Sequence, residues 1–164
     1  MKDQSSLKEM YPLVLWAENQ LLRTVCSKIP SINPKIKKMA KNLHELMHEY
    51  DGVWLAAPQI WQLIRMIAVT QRDISWSKWK PSHEIVMINP RILAKSEQKE
   101  LDLEGCLSLP WVEWRVSRSQ SITVEYMNLD GETCLQKAVW FNARVILHEI
   151  DHLDWILFID KLYW

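Results

Sequence analysis

The most reactive spacing in the chain is HEIDH at positions 148–152, inside the stretch 143–159. On a helix, side chains four residues apart lie one above the other, so His148 and His152 can bind one metal ion through both imidazoles. Glu149 directly follows the first histidine and can act as general base on a water molecule at that metal. The spacing predicts the metal site of a hydrolase. The alternative is a helix face on which two histidines form ordinary salt bridges with Glu149 and Asp151.

A further candidate ligand lies in EGCLSLP at positions 104–110. Gly105 lets the backbone turn sharply and present the sulfur of Cys106, and a thiolate is a strong ligand for a borderline metal. Alone, Cys106 would more often be a small buried apolar residue. Beside two histidines at helical spacing, a role as metal ligand becomes the preferred interpretation.

The extended segment GVWLAAPQ at positions 52–59 precedes these two motifs. Its Ala-Ala-Pro-Gln portion combines small side chains with one amide, which suits close approach of a ligand to the backbone. The side chain of Gln59 is then free to donate a hydrogen bond. This segment is therefore a candidate binding edge.

Length and composition limit the remaining possibilities. The 164 residues fit a single catalytic domain, 1–164, with a core that needs no disulfides. Basic and acidic residues balance at 20 each, so no charge pattern indicates nucleic acid or an anionic membrane. Residues 1–22 lack a signal-peptide pattern, and no run approaches the roughly 20 apolar residues of a membrane span. The three cysteines lie far apart in sequence and make no disulfide framework. We expect a cytoplasmic location.

Apolar residues at three- and four-residue steps predict an amphipathic helix of about four turns from Pro34 to Tyr50, capped by Asn33 and covering one side of a sheet. His44 and His48 are also four apart on it, but no acidic neighbour is placed as a general base, so we interpret them as a solvated face. A brief helix is expected over 17–25. Core strands are expected over 65–70 and 85–89, with a polar loop over 71–82 between them and with Pro90 ending the second strand. A hairpin of 121–127 with 132–138 follows.

The stretches GVWLAAPQ, EGCLSLP and HEIDH resemble, in order and approximate spacing, the three motifs of the peptide deformylase family. The resemblance covers about residues 13–162 and includes ARV before the histidines and LD after them. Three ordered motifs are far more specific than any one of them. The resemblance implies an α+β fold with small antiparallel β-sheets packed around a central metal-binding α-helix.

The implied activity is a metal-dependent hydrolysis that removes the N-formyl group from the initiator methionine of newly made proteins. Cys106, His148 and His152 match the metal ligands and leave a fourth position for water. Family members typically use one divalent ion, most often Fe2+, with Zn2+, Ni2+ or Co2+ able to replace it, and this ligand set does not choose among them.

Further roles follow from the same resemblance. Glu149 moves a proton from the attacking water to the leaving amine, while the Gln59 side chain and the Leu107 backbone N–H stabilise the oxyanion. Glu104 and Arg118 match a pair that holds the cysteine loop, for which a surface salt bridge is the alternative.

Substrate contacts are also implied. The edge from Gly52 through Val53 to Trp54 matches the segment that pairs with the peptide backbone of the substrate. Val53, Phe141 and Val145 are candidates for the apolar pocket of the methionine side chain. The partners are N-formylmethionyl nascent peptides, hence transient proximity to the ribosome, without direct nucleic-acid or membrane contact.

The chain has 10 Trp and 3 Gly, where average usage gives about 11 or 12 glycines. Trp54 stands where the first motif of the family has its second glycine, and six more tryptophans stand at glycine-typical positions. We hypothesise that the host reads UGA as glycine and that the printed sequence translates it as tryptophan, which would raise the glycine total from 3 to 13. The six further positions are Trp16, Trp61, Trp111, Trp114, Trp140 and Trp155, while Trp76, Trp79 and Trp164 are compatible but uninformative.

Two main interpretations remain. The preferred one is an active deformylase with glycine at these positions, because a binding module has no need of the general base Glu149. The alternative is a non-catalytic, deformylase-like peptide-binding module with a groove occluded by Trp54. A metallopeptidase is weaker, because the implied pocket accepts a formyl group and little more.

Overall fold

A computed structural model describes residues 6–72 and 81–162, without the side chains of 81 and 82. Its helices are α1 (Leu7–Met10), α2 (Pro34–Glu49) and α3 (Trp140–Leu153), with 3-10 turns at Ala57–Ile60 and Phe158–Lys161. The strands are β1 (Trp54–Ala56), β2 (Met66–Arg72), β3 (Pro81–Lys95), β4 (Lys99–Cys106), β5 (Leu109–Ser119), β6 (Ser121–Met127) and β7 (Thr133–Val139).

The strands form two antiparallel sheets. The larger has the order β1-β2-β3-β6-β7, so β1 is an edge strand, and the smaller is the pair β4-β5. Helix α3 contacts strands of both sheets and is buried along most of its length. The predicted α+β fold, with small antiparallel sheets around a central helix, is confirmed.

Helix α2 follows the predicted pattern. The side chain of Asn33 accepts a hydrogen bond from the Ile36 N–H at 3.0 Å, and Pro34 occupies the first turn, where its missing N–H costs nothing. The inward face buries Leu43, Leu46 and Met47 against β1, β2 and β3. The predicted helix is confirmed, and it covers one face of the larger sheet.

The core strands and the hairpin are also confirmed as β2, β3, β6 and β7. The turn of the hairpin is closed by Asn128, whose Oδ1 accepts the N–H of Asp130 at 3.0 Å and that of Glu132 at 2.9 Å. Gly131 has a φ of +85°, which an L side chain adopts only with strain. The helix of the HEIDH motif begins at Trp140 and ends at Leu153, so it is shorter at its C-terminal end than the predicted stretch.

The predicted helix over 17–25 is wrong, because these residues form successive turns. The side chain of Asn19 accepts the N–H of Leu21 at 3.1 Å, a local hydrogen bond that competes with helix formation. Immediately after residue 25, the N–H of Cys26 donates to the carbonyl of Leu153 at 2.9 Å. The segment is thereby held against the end of α3 instead of coiling on itself.

Pro90 does not end its strand, contrary to the prediction. β3 continues to Lys95 through an irregularity between Ile88 and Arg91, where Asn89 has a φ of 51°. A bulge tolerates proline because the ladder there does not need its N–H. The predicted loop 71–82 is too long, since 71–72 belong to β2 and 81–82 to β3, and its remainder at 73–80 lies outside the described residues.

Strands β4 and β5 carry the cysteine loop but lack a clear alternating pattern, since many of their side chains are exposed. The turn between them places Cys106 opposite Leu109 after a register shift at Gly105. Among the described residues, no helix is long and apolar enough to cross a membrane.

Candidate metal and catalytic site

Cys106, His148 and His152 bring one ligand atom each to a common point. The three atoms lie within 4.8 Å of one another, and all three residues are buried. The histidines come from successive turns of α3 and the cysteine from the end of β4, with its Sγ 3.3 Å from Nε2 of His152. One thiolate and two imidazoles form a three-ligand set that leaves a coordination position open.

Several buried polar atoms at this cluster have no hydrogen-bond partner among the described residues. Nε2 of His148 and both carboxylate oxygens of Glu149 are buried and have no hydrogen-bond partner within the described part of the chain. Glu149 is 0% exposed, and a buried group without a partner costs free energy. A divalent cation would supply a counter-charge to Glu149 and a bond to His148, so the residues present fit a metal ion.

The protonation of the ligands is consistent with this assignment. Burial, followed by the charges of His148 and Arg118, lowers the pKa of His152 well below its usual value, so its ring is neutral and can bind a metal. Burial, followed by the charge of Glu149, raises the pKa of Cys106 to about 12 in the protein alone. Coordination to a cation deprotonates such a thiol.

The same surroundings act on the candidate general base. Burial, followed by the charges of Glu104 and Asp151, raises the pKa of the Glu149 carboxyl well above its usual range. A carboxyl with a raised pKa holds a proton more readily than a free one, as a general base must.

Glu104 holds the first histidine. Nδ1 of His148 lies 2.9 Å from one carboxylate oxygen, and Arg118 donates two hydrogen bonds of 2.8 Å to the same carboxylate. Burial alone would raise the pKa of Glu104, but the hydrogen bonds from Arg118 and His148 hold it well below its usual range. An ionised Glu104 makes Nδ1 of His148 the donor, so Nε2 faces the ligand cluster. The pair of Glu104 and Arg118 is buried, which removes the alternative of a surface salt bridge.

Two residues of this network were missed. Arg144 donates to Glu104 at 2.8 Å and also to the carbonyls of Val116 and Glu100 at 2.8 Å. Its position four residues before His148, on the same helix face, was the available signal. Asp151 contacts Arg118 and accepts from Lys161 at 2.7 Å, residues 33 and 10 positions away that stand at no helical spacing from it.

Gln59 lies where its amide can donate into the site. Its Oε1 accepts the N–H of Ala56 at 2.8 Å, which fixes the orientation of the amide. Its Nε2 is 3.1 Å from the hydroxyl oxygen of Ser108 and 3.4 Å from Sγ of Cys106. Gln59 is buried beside the ligand cluster, and Ser108 is a neighbour that the sequence did not indicate.

A cavity of about 530 Å³ joins the edge strand to the cysteine loop. A Cβ on Gly52 would lie 2.8 Å from Cδ1 of Leu107, so a larger residue there would require the Leu107 side chain to shift. The predicted residues Phe141 and Val145 do not line the cavity: Phe141 packs on Trp54 at 5.7 Å between ring centroids, and Val145 is buried in the core. The lining residues are Asp51, Gly52, Val53, Trp54, Leu103, Glu104, Gly105, Cys106, Leu107, Pro110 and Glu113.

The second histidine pair is only partly a solvated face. His44 and His48 both contact the carboxylate of Glu84 on β3, the latter at 3.0 Å. These three side chains pair with one another, whereas Nε2 of His148 and both carboxyl oxygens of Glu149 have no hydrogen-bond partner in the described part of the chain. The long separation along the chain hid Glu84 from sequence reasoning.

Comparisons with known proteins agree on one family. A family model described as polypeptide deformylase matches residues 11–163. The chain is 40% identical over 141 residues to a peptide deformylase of Dictyoglomus thermophilum, with 86% of each protein covered. It matches a crystal structure of peptide deformylase from Thermotoga maritima with a TM-score of 0.84 at 32% identity, covering 94% of this chain and 98% of that one. A Met-Ala-Ser-bound class I type b peptide deformylase from Acinetobacter baumannii matches with a TM-score of 0.85 at 30% identity, covering 93% and 98%.

Proposed function

This chain belongs to the peptide deformylase family, and we propose that its reaction takes place where the cavity beside β1 meets the ligand cluster on α3. The activity is a metal-dependent hydrolysis that removes the N-formyl group from the initiator methionine of newly made proteins. One observation carries the assignment of roles: Glu149 is a fully buried carboxyl group without a hydrogen-bond partner among the described residues, and its Oε1 lies 3.8 Å from Nε2 of the ligand His148.

Cys106, His148 and His152 would hold the divalent ion, which supplies the charge that lowers the pKa of water and polarises a carbonyl. The donor set suits Fe2+, Zn2+, Ni2+ and Co2+ alike. We assign Fe2+ on the resemblance to the family, and elemental analysis of protein purified without oxygen from its host tests that assignment. If that analysis finds one equivalent of zinc, nickel or cobalt per chain instead of iron, the assignment changes to that metal.

Glu149 moves the proton. Its carboxylate accepts a proton from the attacking water and returns it to the amine that leaves as the formyl carbon–nitrogen bond breaks. The raised pKa suits both transfers, since a strongly acidic carboxyl would accept a proton poorly.

Gln59 and Leu107 stabilise the formyl oxygen as negative charge develops on it. The Ala56 N–H occupies Oε1 of Gln59, so Nε2 is the part of the amide beside Cys106 and is the donor to that oxygen. The backbone N–H of Leu107, next to the cysteine ligand, is the second donor. Donors fixed before the reaction need not reorganise in the transition state.

The substrate peptide pairs with β1 along the edge from Gly52 to Trp54. Support comes from the sheet order, in which β1 is an edge strand, and from the cavity that this edge lines. Pairing through the backbone tolerates many sequences after the methionine. For the methionine pocket we propose Val53, which lines the cavity, with Phe141, which packs on the lining residue Trp54, and Val145 in the core behind it. The Acinetobacter baumannii protein bound to Met-Ala-Ser supports a methionine-first peptide as product.

We place this single catalytic domain, residues 1–164, in the cytoplasm beside ribosomes that carry formylated nascent chains. The reaction itself supports this placement, because formylmethionine is found at the start of newly made chains. Co-sedimentation with such ribosomes, compared with ribosomes whose chains have lost the formyl group, tests it.

Glu149→Gln keeps the size of the side chain and removes the base. We expect formate release from formyl-Met-Ala-Ser to fall by about 100-fold or more, with the metal content unchanged. Glu97→Gln, a change at an exposed glutamate, is the matched control and should keep full activity. Full activity of Glu149→Gln would remove Glu149 from the reaction.

A further inference from the structure

The backbone conformation of the tryptophans is the most unusual feature of the molecule. Among the described residues, seven other than glycine have a positive φ, and five of the seven are tryptophan. Only a few per cent of non-glycine residues adopt such angles, and Asn and Asp are the usual ones. The five are Trp16 (75°), Trp61 (65°), Trp111 (64°), Trp140 (53°) and Trp155 (61°).

At Trp155 the positive φ is required by the hydrogen bonds that end helix α3. The N–H of Ile156 donates to the carbonyl of Asp151 at 2.9 Å and that of Trp155 to His152 at 3.4 Å, which is the Schellman pattern that ends a helix. Trp155 occupies the left-handed position of this motif, where glycine is the usual residue because it has no Cβ.

The same arrangement recurs after the 3-10 turn that carries Gln59. Trp61 follows Ile60 with a φ of 65°, and the N–H of Gln62 donates back to the carbonyl of Ala57 at 3.0 Å. Trp16 has a φ of 75° while its N–H donates to the carbonyl of Ser108 at 2.8 Å. These two turns hold segments that contact the site.

The tryptophan side chains also lie in the wrong environment. Tryptophan is among the most buried residues on average. Of the seven described tryptophans none belongs to the buried core, and six are between 43% and 93% exposed. A positive φ and a high exposed fraction both mark these positions as unsuited to an indole.

Trp54 differs, because its backbone is an ordinary strand and its difficulty is space. The indole lies 5.7 Å from the ring of Phe141 and 5.9 Å from that of His148, and it lines the cavity beside the metal ligands. It therefore takes up space at the wall of the groove that a glycine would leave open to the proposed substrate.

We infer that glycine occupies the ten tryptophan positions of the functional protein, that its host makes them by decoding UGA as glycine, and that the groove beside β1 is open at position 54. The statement on the groove rests on the proposed function, whereas the statement on glycine rests on the positive φ of five tryptophans and the exposure of six. Trp76, Trp79 and Trp164 lie outside the described residues and are included because one codon reassignment affects all ten.

The first test reads the ten codons in the host DNA and weighs the intact protein made by that host. UGA at all ten, with a mass that fits ten glycines, is the expected result. UGG codons, or a native mass that fits tryptophan, would overturn the inference.

The second test uses purified variants. Replacing Trp16, Trp61, Trp111, Trp140 and Trp155 together by glycine should raise the thermal midpoint, because the left-handed positions lose their strain. The matched control is Trp114→Gly, at an exposed strand position without a positive φ, which should give no such rise. Equal or lower stability of the fivefold variant would count against glycine whatever the activity.

The groove is tested by binding. In this stabilised background with metal bound, Trp54→Gly should bind Met-Ala-Ser at least tenfold more tightly than the protein with Trp54, by calorimetry. Unchanged binding would overturn the open groove. If the variant gains stability and binds the peptide but releases no formate from formyl-Met-Ala-Ser, the proposed function fails while the inference on glycine stands.

Discussion

Nδ1 of His148 lies 2.9 Å from a carboxylate oxygen of Glu104, and both residues are buried. The contact orients one metal ligand from a strand of the smaller sheet, while Arg118 and Arg144 hold the carboxylate from its other sides. A buried carboxylate with these partners is ionised and rigid, so the imidazole has one orientation available. The ligand cluster is thus built by the packing of α3 on β4 and β5.

Removing the charge of Glu104 should therefore weaken metal binding. For Glu104→Gln we expect metal affinity to fall by about 10- to 100-fold, because His148 loses the partner that orients it. Competition with a chelator measures the affinity, and circular dichroism checks that the fold is kept. Glu97→Gln should retain its metal; equal affinity in both variants would show that Glu104 does not position the ligand.

Gln59→Glu tests the oxyanion donor, because a carboxylate cannot donate the hydrogen bond that the amide supplies. We expect kcat to fall by about 100- to 1000-fold with little change in KM and with one metal still bound. Gln98→Glu, at an exposed position, is the control for the added charge. If kcat survives in Gln59→Glu, the oxyanion must be stabilised elsewhere.

Trp155 offers a test of backbone strain by itself. Trp155→Gly should stabilise the protein by about 1–2 kcal/mol, since a left-handed conformation costs an L residue roughly that amount. Trp155→Ala removes the indole but keeps a Cβ, so it should recover little of the gain. Urea unfolding measures both, and equal gains would show that the indole rather than φ is the problem.

Asp160 should give the protein a stability that depends on pH. It accepts from Arg23 at 3.2 Å and from the Leu157 N–H at 2.8 Å, and although burial raises its pKa, these hydrogen bonds hold it below its usual range. A folded pKa below the unfolded value of about 3.9 means that the stabilisation is present above that pH and is lost as pH falls through the folded pKa.

Asp160→Asn removes this charge. We expect it to cost no more than about 1 kcal/mol at pH 7, because both side chains of the ion pair are partly exposed and solvent screens them. The difference in unfolding free energy between the two proteins should shrink towards pH 3. A difference that stays constant with pH would exclude the charge as its source.

The three thiols should differ in reactivity. Burial raises the pKa of Cys26 to about 11, and Cys106 is buried at the metal cluster, whereas Cys134 is partly exposed. With metal bound, one thiol per chain should react with a disulfide reagent, and peptide mapping should locate it at Cys134. Chelation should make Cys106 reactive as well; labelling of Cys106 at the same rate with and without metal would contradict its role as ligand.

Sequence alone predicted the parts of the molecule that depend on local pattern. The cap at Asn33, the apolar face of α2 and the alternation of β6 act within a few residues, so composition and period reveal them. The histidines of α3 belong to the same class, since their spacing matches one helical turn.

The predictions that were wrong concern segments whose structure depends on residues distant in sequence. Pro90 lies in a continuing strand because a bulge spares its N–H, and the segment after Asn19 turns because its backbone pairs with the end of α3. The pairing of Arg144 with Glu104 links residues 40 apart in sequence. A single sequence carries no local mark of such contacts.

The central claim is that this chain deformylates peptides with a metal held by Cys106, His148 and His152. The most direct measurement is formate release from formyl-Met-Ala-Ser by protein made with glycine at the ten tryptophan positions, with metal bound, after chelation and after the metal is returned. We predict release that stops on chelation and recovers with the metal. Absence of formate from a folded protein carrying one metal ion per chain would contradict the claim.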